Sequence, residues 1–468
     1  MRHRLLLLLA LGVLFLGTPA LPSAVAGSAE VARIDQLLRA AYPADEPGAV
    51  VLVVQDGQVL LRQGYGMANL ELGVPLRPEM VFRVGSITKQ FTAMAILKLA
   101  EQGKLALDDD ITKFLPDYPT HGARITLDHL LTHTSGIPNY VFLPEWVRTL
   151  RDDRTPAQLV DVFKDQPAEF APGAKWVYSN SGYALLGVVV EKVTGKSYCD
   201  ELAETLFTPL GMSHTACDVT TAIVPNRVSG YEGTPGHYRN TGYISMTEPY
   251  AAGALVSTVD DLARWDRALA SGTLLRRDLL DRMFTSSHLN DGRETRYGYG
   301  YAVWTYAGHR VLDHAGGVNG FVGEILRMPD DHLLVVLLSN SLEHTPRHDF
   351  LAFQIATLVL GLPPGAPRSV DPARLDRYAG AYRIDGQTAA IVTHEGDQLF
   401  FQRLPGPRSA TVPLAGDEFL LGGNLDRLRF TADPSGKVTG LVFEHHYGGP
   451  ETAVRANEPL PGAAARVP

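Results

Sequence analysis

Val84-Gly85-Ser86-Ile87-Thr88-Lys89-Gln90-Phe91-Thr92 is the stretch on which the fold turns. Apolar residues of strand type (Val81, Phe82, Val84) run into a glycine and a serine, and a helical pattern follows on Met94, Ile96, Leu97 and Leu99. The pattern predicts a helix that begins at or just before Ser86 and runs to about Gln102-Gly103. Three residues apart on a helix, Ser86 and Lys89 leave from one face. A serine hydroxyl becomes a nucleophile when a neighbouring base takes its proton. A lysine desolvated by apolar neighbours can be that base near neutral pH. The helix start adds free amides and a positive dipole end, which suit an oxyanion. Ser-x-x-Lys by itself also reads as an N-cap and a surface lysine, so its weight comes from its surroundings.

Upstream, residues 29–41 have amphipathic helical spacing on Val31, Ile34, Leu37 and Leu38. Residues 49–54 and 59–61, joined by Asp56-Gly57, predict a β-hairpin whose first strand is apolar throughout, as when both faces are covered. Downstream, His129 and His133 are four apart, but no glutamate follows His129 in the His-Glu-x-x-His manner and no third ligand stands out. They read as structural histidines, and no metal or cofactor is expected. Tyr178-Ser179-Asn180-Ser181 leads into a helix from about Gly182 to Val193 that stops at Thr194-Gly195. From Tyr297 to Asn340 the pattern turns to strands at residues 301–304, 310–312, 321–326 and 333–338, with His314-Ala315-Gly316-Gly317 between two of them.

Residues 363–372 are rich in Pro and Gly and read as a linker. Beyond it, short strands at 388–393, 399–402, 418–421, 427–431 and 438–444 predict a small antiparallel β domain, barrel-like or sandwich-like and self-contained enough to be removed. The 468 residues are 45% hydrophobic and 20% charged, a globular composition long enough for two domains. The net charge of −9 and the lack of a basic block argue against a nucleic-acid partner. The basic start Met1-Arg2-His3-Arg4, an apolar run over 5–16 and Ser23-Ala24-Val25-Ala26 read as an export leader over 1–26, too short to be a membrane span. The mature protein is expected in the periplasm or secreted. Export permits a bridge between Cys199 and Cys217; two separate buried thiols fit the sequence equally. Nothing in the pattern specifies an oligomeric state.

Ser86-x-x-Lys89, Tyr178-Ser179-Asn180 and His314-Ala315-Gly316-Gly317 stand in an order and spacing that resemble the serine penicillin-recognising family: class C β-lactamases, penicillin-binding proteins, and related esterases and D-peptidases. The resemblance covers about residues 30 to 360. Leu130-Leu131-Thr132-His133-Thr134-Ser135-Gly136, Pro209-Leu210-Gly211-Met212 and residues 252–258 also look like the family. The resemblance implies an α+β fold, an antiparallel sheet flanked by helices plus an all-α region, over 27–362, with a lipocalin-like β domain over 373–468. It implies Ser86 as the acylated nucleophile, and Lys89 and Tyr178 as the groups between which the base is to be found. The Tyr178 phenol would be acidified by Lys89 and His314. Asn180 would bond Lys89 and substrate, and Ser86, Gly316 and Gly317 would form the oxyanion hole and an edge for substrate. Where β-lactamases carry Lys-Thr-Gly, this chain carries His314-Ala315-Gly316, which removes donors for a substrate carboxylate. The expectation is a serine hydrolase of small-molecule or peptide acyl substrates, ester or amide. A true β-lactamase or D-alanyl-D-alanine carboxypeptidase is the rival enzyme, and a silent penicillin-binding-like sensor the rival of another class. No Gly-x-Ser-x-Gly elbow is present, which argues against an α/β-hydrolase.

Overall fold

The computed structural model describes residues 27–342, 347–362, 371–384, 388–414, 416–421 and 425–456. The expected leader (1–26) and residues 363–370 of the expected linker lie outside the described residues. The body is built on one antiparallel sheet. Its strands are β1 (Ala49–Gln55), β2 (Gln58–Tyr65), β3 (Ala302–Tyr306), β4 (His309–Val318), β5 (Phe321–Met328) and β6 (Leu333–Ser339), in the spatial order β3-β4-β5-β6-β1-β2. Asp56 and Gly57 both have positive φ, which lets the two-residue turn match the strand twist. The continuous apolar runs of β1 and β6 follow from cover on both faces. Val50, Leu52, Val336 and Leu338 point into the larger core. Val51, Val53, Val335 and Leu337 point into the second, under α1 (Ser28–Ala41) and α5 (His348–Val359).

The larger core surrounds α2 (Thr88–Glu101), in which every residue from Thr88 to Leu97 is buried. A helix buried on all sides needs no amphipathic stripe. Fully burying Phe91 or Leu97 contributes about 2 kcal/mol each, so the scaffold fixes α2 without help from its polar residues. Against α2 pack α3 (Asn180–Thr194), ended by Gly195 in the left-handed region, and α4 (Val259–Ser271), capped by Thr258 as its spacing to Asp261 suggests. Cys199 and Cys217 are bridged, tying Tyr198–Leu202 to a short strand. His129 closes a capping box with Thr126 at its own helix start, the structural role expected of it. No helix among the described residues is long and apolar enough to cross a membrane.

The C-terminal unit opens with a short helix, Pro372–Leu375, and closes into an eight-stranded antiparallel barrel. Its strands are β7 (Gly380–Ile384), β8 (Thr388–Glu395), β9 (Gln398–Arg403), β10 (Arg408–Pro413), β11 (Glu418–Leu421), β12 (Arg427–Ala432), β13 (Val438–Glu444) and β14 (Pro450–Arg455). Sequence pattern gives five of the eight. β7, β10 and β14 begin beside Gly380, Pro407 and Pro450, residues that weaken a strand signal. His314-Ala315-Gly316-Gly317, expected between two strands, lies within the last part of β4. The two glycines are poor strand formers, and β5 holds them in the ladder.

Candidate active site

Gly85–Ile87 forms a 3-10 turn, and the α-helix proper begins at Thr88, so Ser86 lies just outside α2 rather than inside it. The turn is pressed against β4. Gly85 has φ +51°, and a β-carbon there would lie 2.6 Å from the Gly317 nitrogen. A β-carbon on Gly316 would lie 2.0 Å from the Val84 carbonyl oxygen. Only glycine permits this backbone-to-backbone approach. Gly316 is thus a packing residue, while Gly317 lines the pocket in front of Ser86.

The Tyr178–Asn180 turn is templated by the loop that contains His133. Ser179 N–H donates to His133 Nδ1 at 3.2 Å, and Val177 N–H to the His133 carbonyl at 3.0 Å. Asn180 N–H donates to Asn139 Oδ1 at 3.2 Å, and Ser181 Oγ to the Pro138 carbonyl at 2.6 Å. These bonds aim Asn180 at Lys89 and bring the Tyr178 phenol into hydrogen bonding with Ser86.

Lys89 Nζ has three polar partners: Ser86 Oγ at 3.0 Å, Asn180 Oδ1 at 2.7 Å and the Ala252 carbonyl at 2.8 Å. No carboxylate is among them. The Tyr178 and Tyr183 rings, with centroids 4.8 and 5.4 Å from Nζ, favour the cation. Complete desolvation is the larger effect and pushes the Lys89 pKa well below the usual lysine range. A neutral amine has two hydrogens and one lone pair. Asn180 Oδ1 and the Ala252 carbonyl can only accept, so they take both hydrogens. The lone pair is left for Ser86, whose hydroxyl then donates. The acidified phenol expected at Tyr178 is corrected: burial pushes this phenol up, and neither Lys89 nor His314 supplies the positive charge that would lower it.

His314 is 1% exposed and on the Ser86 face of β4, while Asp313 points to the other face, as strand alternation requires. His314 Nδ1 lies 2.6 Å from the Ala315 carbonyl, an obligate acceptor, so Nδ1 carries the hydrogen. Its Nε2 then accepts from Tyr297 Oη at 2.8 Å. Both ring nitrogens are satisfied within the protein. Burial lowers the His314 pKa to about 3, so the ring is neutral throughout the physiological range. β4 itself is not an edge strand, since β3 covers it on one side; only its end, beyond Asp313, runs free of β3.

The pocket before Ser86 has a volume of about 330 Å³. Tyr140, Val141, Trp146, Ile244, Pro249 and Val318 give it an apolar wall, with Asn180 and Asn319 as amides, and no charged side chain among the described residues lines it. The structure brings Ser86, Lys89, Tyr178, Asn180 and Gly317 together, places His314 one aromatic ring further off (6.2 Å between its centroid and that of Tyr178), and keeps Gly316 behind the Gly85–Ile87 turn. Three residues that sequence reasoning passed over complete the surroundings. Tyr297 orients His314; its only signal was the Tyr-Gly-Tyr-Gly-Tyr run at 297–301. His446 and Tyr447 arrive from the barrel, with no local signal at all: His446 Nε2 meets Asp313 Oδ2 at 2.6 Å, and Tyr447 Oη accepts from Ala315 N–H at 3.0 Å.

Residues 34–359 match the family model described as Beta-lactamase. The chain is 28% identical over 434 residues to penicillin-binding protein 4* of Bacillus subtilis (strain 168), covering 86% of this chain and 94% of that protein. It is 29% identical over 331 residues to D-aminopeptidase of Gluconobacter oxydans (strain 621H), covering 69% of this chain and 61% of that one. Among solved structures, the octameric penicillin-binding protein homologue from Pyrococcus abyssi aligns with a TM-score of 0.63 at 26% identity, covering 91% of this chain and 99% of that one.

Proposed function

The chain belongs to the Beta-lactamase family, and on that premise we propose that it is an exported serine hydrolase that acylates Ser86 with uncharged esters or amides bearing an apolar acyl group. The observation that carries the reading is the set of three partners on Lys89 Nζ, two of them obligate acceptors and the third the serine hydroxyl. In this reading Lys89 is the base. As Ser86 Oγ forms its bond to the acyl carbon, its proton passes to Nζ. The developing oxyanion is held by the backbone amides of Ser86 and Gly317. The Tyr178 phenol, kept neutral by burial, gives its proton to the departing oxygen or nitrogen as the acyl–leaving-group bond breaks, and Lys89 returns a proton to it. Water then repeats the sequence on the acyl-enzyme. Asn180 holds Nζ and offers its amide hydrogens to the substrate.

The substrate class rests on charge. The pocket lining has neither a cation for the carboxylate of a β-lactam or a peptide C-terminus nor an acid for a free α-ammonium group. His314 stays neutral and Ala315 has no hydroxyl. D-Aminopeptidase among the relatives supports amide cleavage by this architecture, while the free α-amino group its name implies has no acidic partner in this pocket lining. The Cys199–Cys217 bridge supports export, because disulfides persist in oxidising compartments. The test is kcat/KM at pH 7.5 for p-nitrophenyl butyrate, a D-alanine p-nitroanilide and nitrocefin on one preparation, with Ser86→Ala as blank, alongside fluorophosphonate labelling. The ester is expected to lead, with labelling lost in Ser86→Ala. Nitrocefin turnover above about 10⁵ M⁻¹s⁻¹ would make this a β-lactamase, and absence of any acylation would make it a silent binding protein.

A further inference from the structure

The strand that carries His314 outruns its neighbour. β3 pairs with β4 from Tyr306–His309 to Ala302–Asp313 and stops there, while β5 accompanies β4 to Val318. From Ala315 onward one side of β4 has no strand beside it. Alternate backbone N–H groups of a strand point to the same side. The Ala315 N–H points to the open side, where its acceptor is Tyr447 Oη at 3.0 Å. The Gly317 N–H, two residues on, points to the same side by strand alternation, and Gly317 lines the pocket before Ser86.

Residues 445–449 leave the end of β13 and wrap this open edge. Behind the sheet His446 Nε2 meets Asp313 Oδ2 at 2.6 Å, and His446 N–H donates to Asp426 Oδ1 at 2.8 Å. Tyr447 crosses the edge, its ring centroid 5.7 Å from that of His314 and 6.2 Å from that of Tyr297. Gly448 N–H donates to the Thr295 carbonyl at 3.1 Å. A β-carbon on Gly448 would lie 2.7 Å from the Trp176 ring, and one on Gly449 would lie 2.3 Å from the Glu294 carbonyl oxygen. A segment seated this closely on three separate parts of the body, β4, residues 294–297 and Trp176, is docked, and both glycines are required for the fit.

We propose that Tyr447 is a positioning residue of the active site: it takes the place of the strand residue that β3 no longer supplies and holds the Ala315–Gly317 edge where the oxyanion amide must be. The barrel is then a working part of the catalytic centre. The proposal rests on the reading of Gly317 as an oxyanion donor given under Proposed function. Without the phenol oxygen the Ala315 amide loses its acceptor, and of the two edges of β4 beyond Asp313 only the β5 side remains hydrogen-bonded. A displacement of about 1 Å at such a donor costs on the order of a hundredfold in rate.

The full-length protein and its Tyr447→Phe and His446→Ala variants are inactivated with a fluorophosphonate probe, with kinact and KI separated, well below the unfolding temperature of each. Both variants are expected to lower kinact about ten- to a hundredfold with KI within about twofold of wild type. Unchanged kinact in a folded Tyr447→Phe overturns the proposal. So does a raised KI at constant kinact, which would make Tyr447 a ligand contact. Hydrogen exchange gives a readout independent of chemistry: the Ala315 amide should exchange about tenfold faster in Tyr447→Phe, and unaltered protection also overturns the proposal. If the wild-type protein resists the probe, the acyl-enzyme reading fails, while Ala315 exchange still decides whether Tyr447 caps the strand.

Discussion

Replacing Asn180 by aspartate puts a carboxylate where Lys89 now finds an amide oxygen. The separation is 2.7 Å. At an effective dielectric of about 20, opposite unit charges at that distance attract by about 6 kcal/mol, in direct opposition to the desolvation that keeps Lys89 neutral. Carboxylate neighbours at such range typically move a pKa by about one to three units. Activity needs the neutral amine and is lost as pH falls through the Lys89 pKa. The substitution should therefore move the acid limb of kcat/KM to higher pH by about one to three units. On that limb each unit is about tenfold in the neutral fraction, so at a fixed pH the variant loses about ten- to a thousandfold and regains activity in alkali. The assay is a pH–rate profile on p-nitrophenyl butyrate from about pH 4 to 10, corrected with Ser86→Ala. A limb that superimposes on wild type, or a constant fractional loss at every pH, would refute the reasoning, because Asn180 would then act on substrate and not through Lys89.

Lys89→Ala and Tyr178→Phe should each lower turnover by about a hundredfold or more, and the double variant should be barely worse than either, since groups acting as one unit are not additive; multiplicative losses in single-turnover assays would show independent action. Trp146→Ala opens the apolar wall and should move the preferred p-nitrophenyl ester toward longer acyl chains, each added methylene gaining about fourfold in kcat/KM where the enlarged pocket covers it; an unchanged chain-length profile would remove Trp146 from substrate binding. His314, at about 3 in the folded protein and about 6.5 unfolded, takes its proton first in the unfolded state as pH falls, so its contribution to stability is complete above about 6.5 and declines from there to about 3. The same shift predicts no activity limb near 6.5 from this residue and no gain in nitrocefin turnover on acidification through pH 6; such a gain would mean that His314 ionises in the site. Removing residues 371–468 exposes Trp304 and Asp313, which His446 and the barrel cover, and should reduce soluble yield and Ser86 labelling together; a soluble, fully labelled truncation would restore the separable domain that strand pattern alone suggests.

That Ser86, Lys89, Tyr178 and Asn180 come together was legible because each sits in a short local pattern, a turn entering a helix, whose geometry depends on few residues. The protonation of Tyr178 was not legible in the same way. Motif reading counts neighbouring cations, but burial neutralises Lys89 and leaves the phenol with desolvation as its main influence. Gly316 and Gly317 read as a pair, yet one packs on Val84 and the other opens on the pocket, a difference of one residue in strand register. Tyr447 and His446 were out of reach. Their contacts with Ala315 and Asp313 span 132 and 133 residues and two folding units, and nothing in His-His-Tyr-Gly-Gly at 445–449 announces a partner.

The sheet order also sets a timetable for biosynthesis. β1 is among the first structured segments to be made, but its partner on one side is β6, and the Gly48 amide bonds the Asn340 side chain across 292 residues. At about 5–20 residues per second, the wait is roughly a quarter of a minute to a minute. During that interval the β1–β2 hairpin has an unpaired apolar edge, a hazard for nascent chains. The polar, exposed residues of β2, Gln58, Arg62 and Gln63, guard only its other side. An N-terminal fragment ending before β6 cannot close the sheet. The loop that seats on β4 is translated later still, about a hundred residues after the last strand of the body. Chains cut short before residue 445 would retain Ser86 and Lys89 without the docked edge, so under the proposed roles a working site would mark only chains in which the barrel had been made.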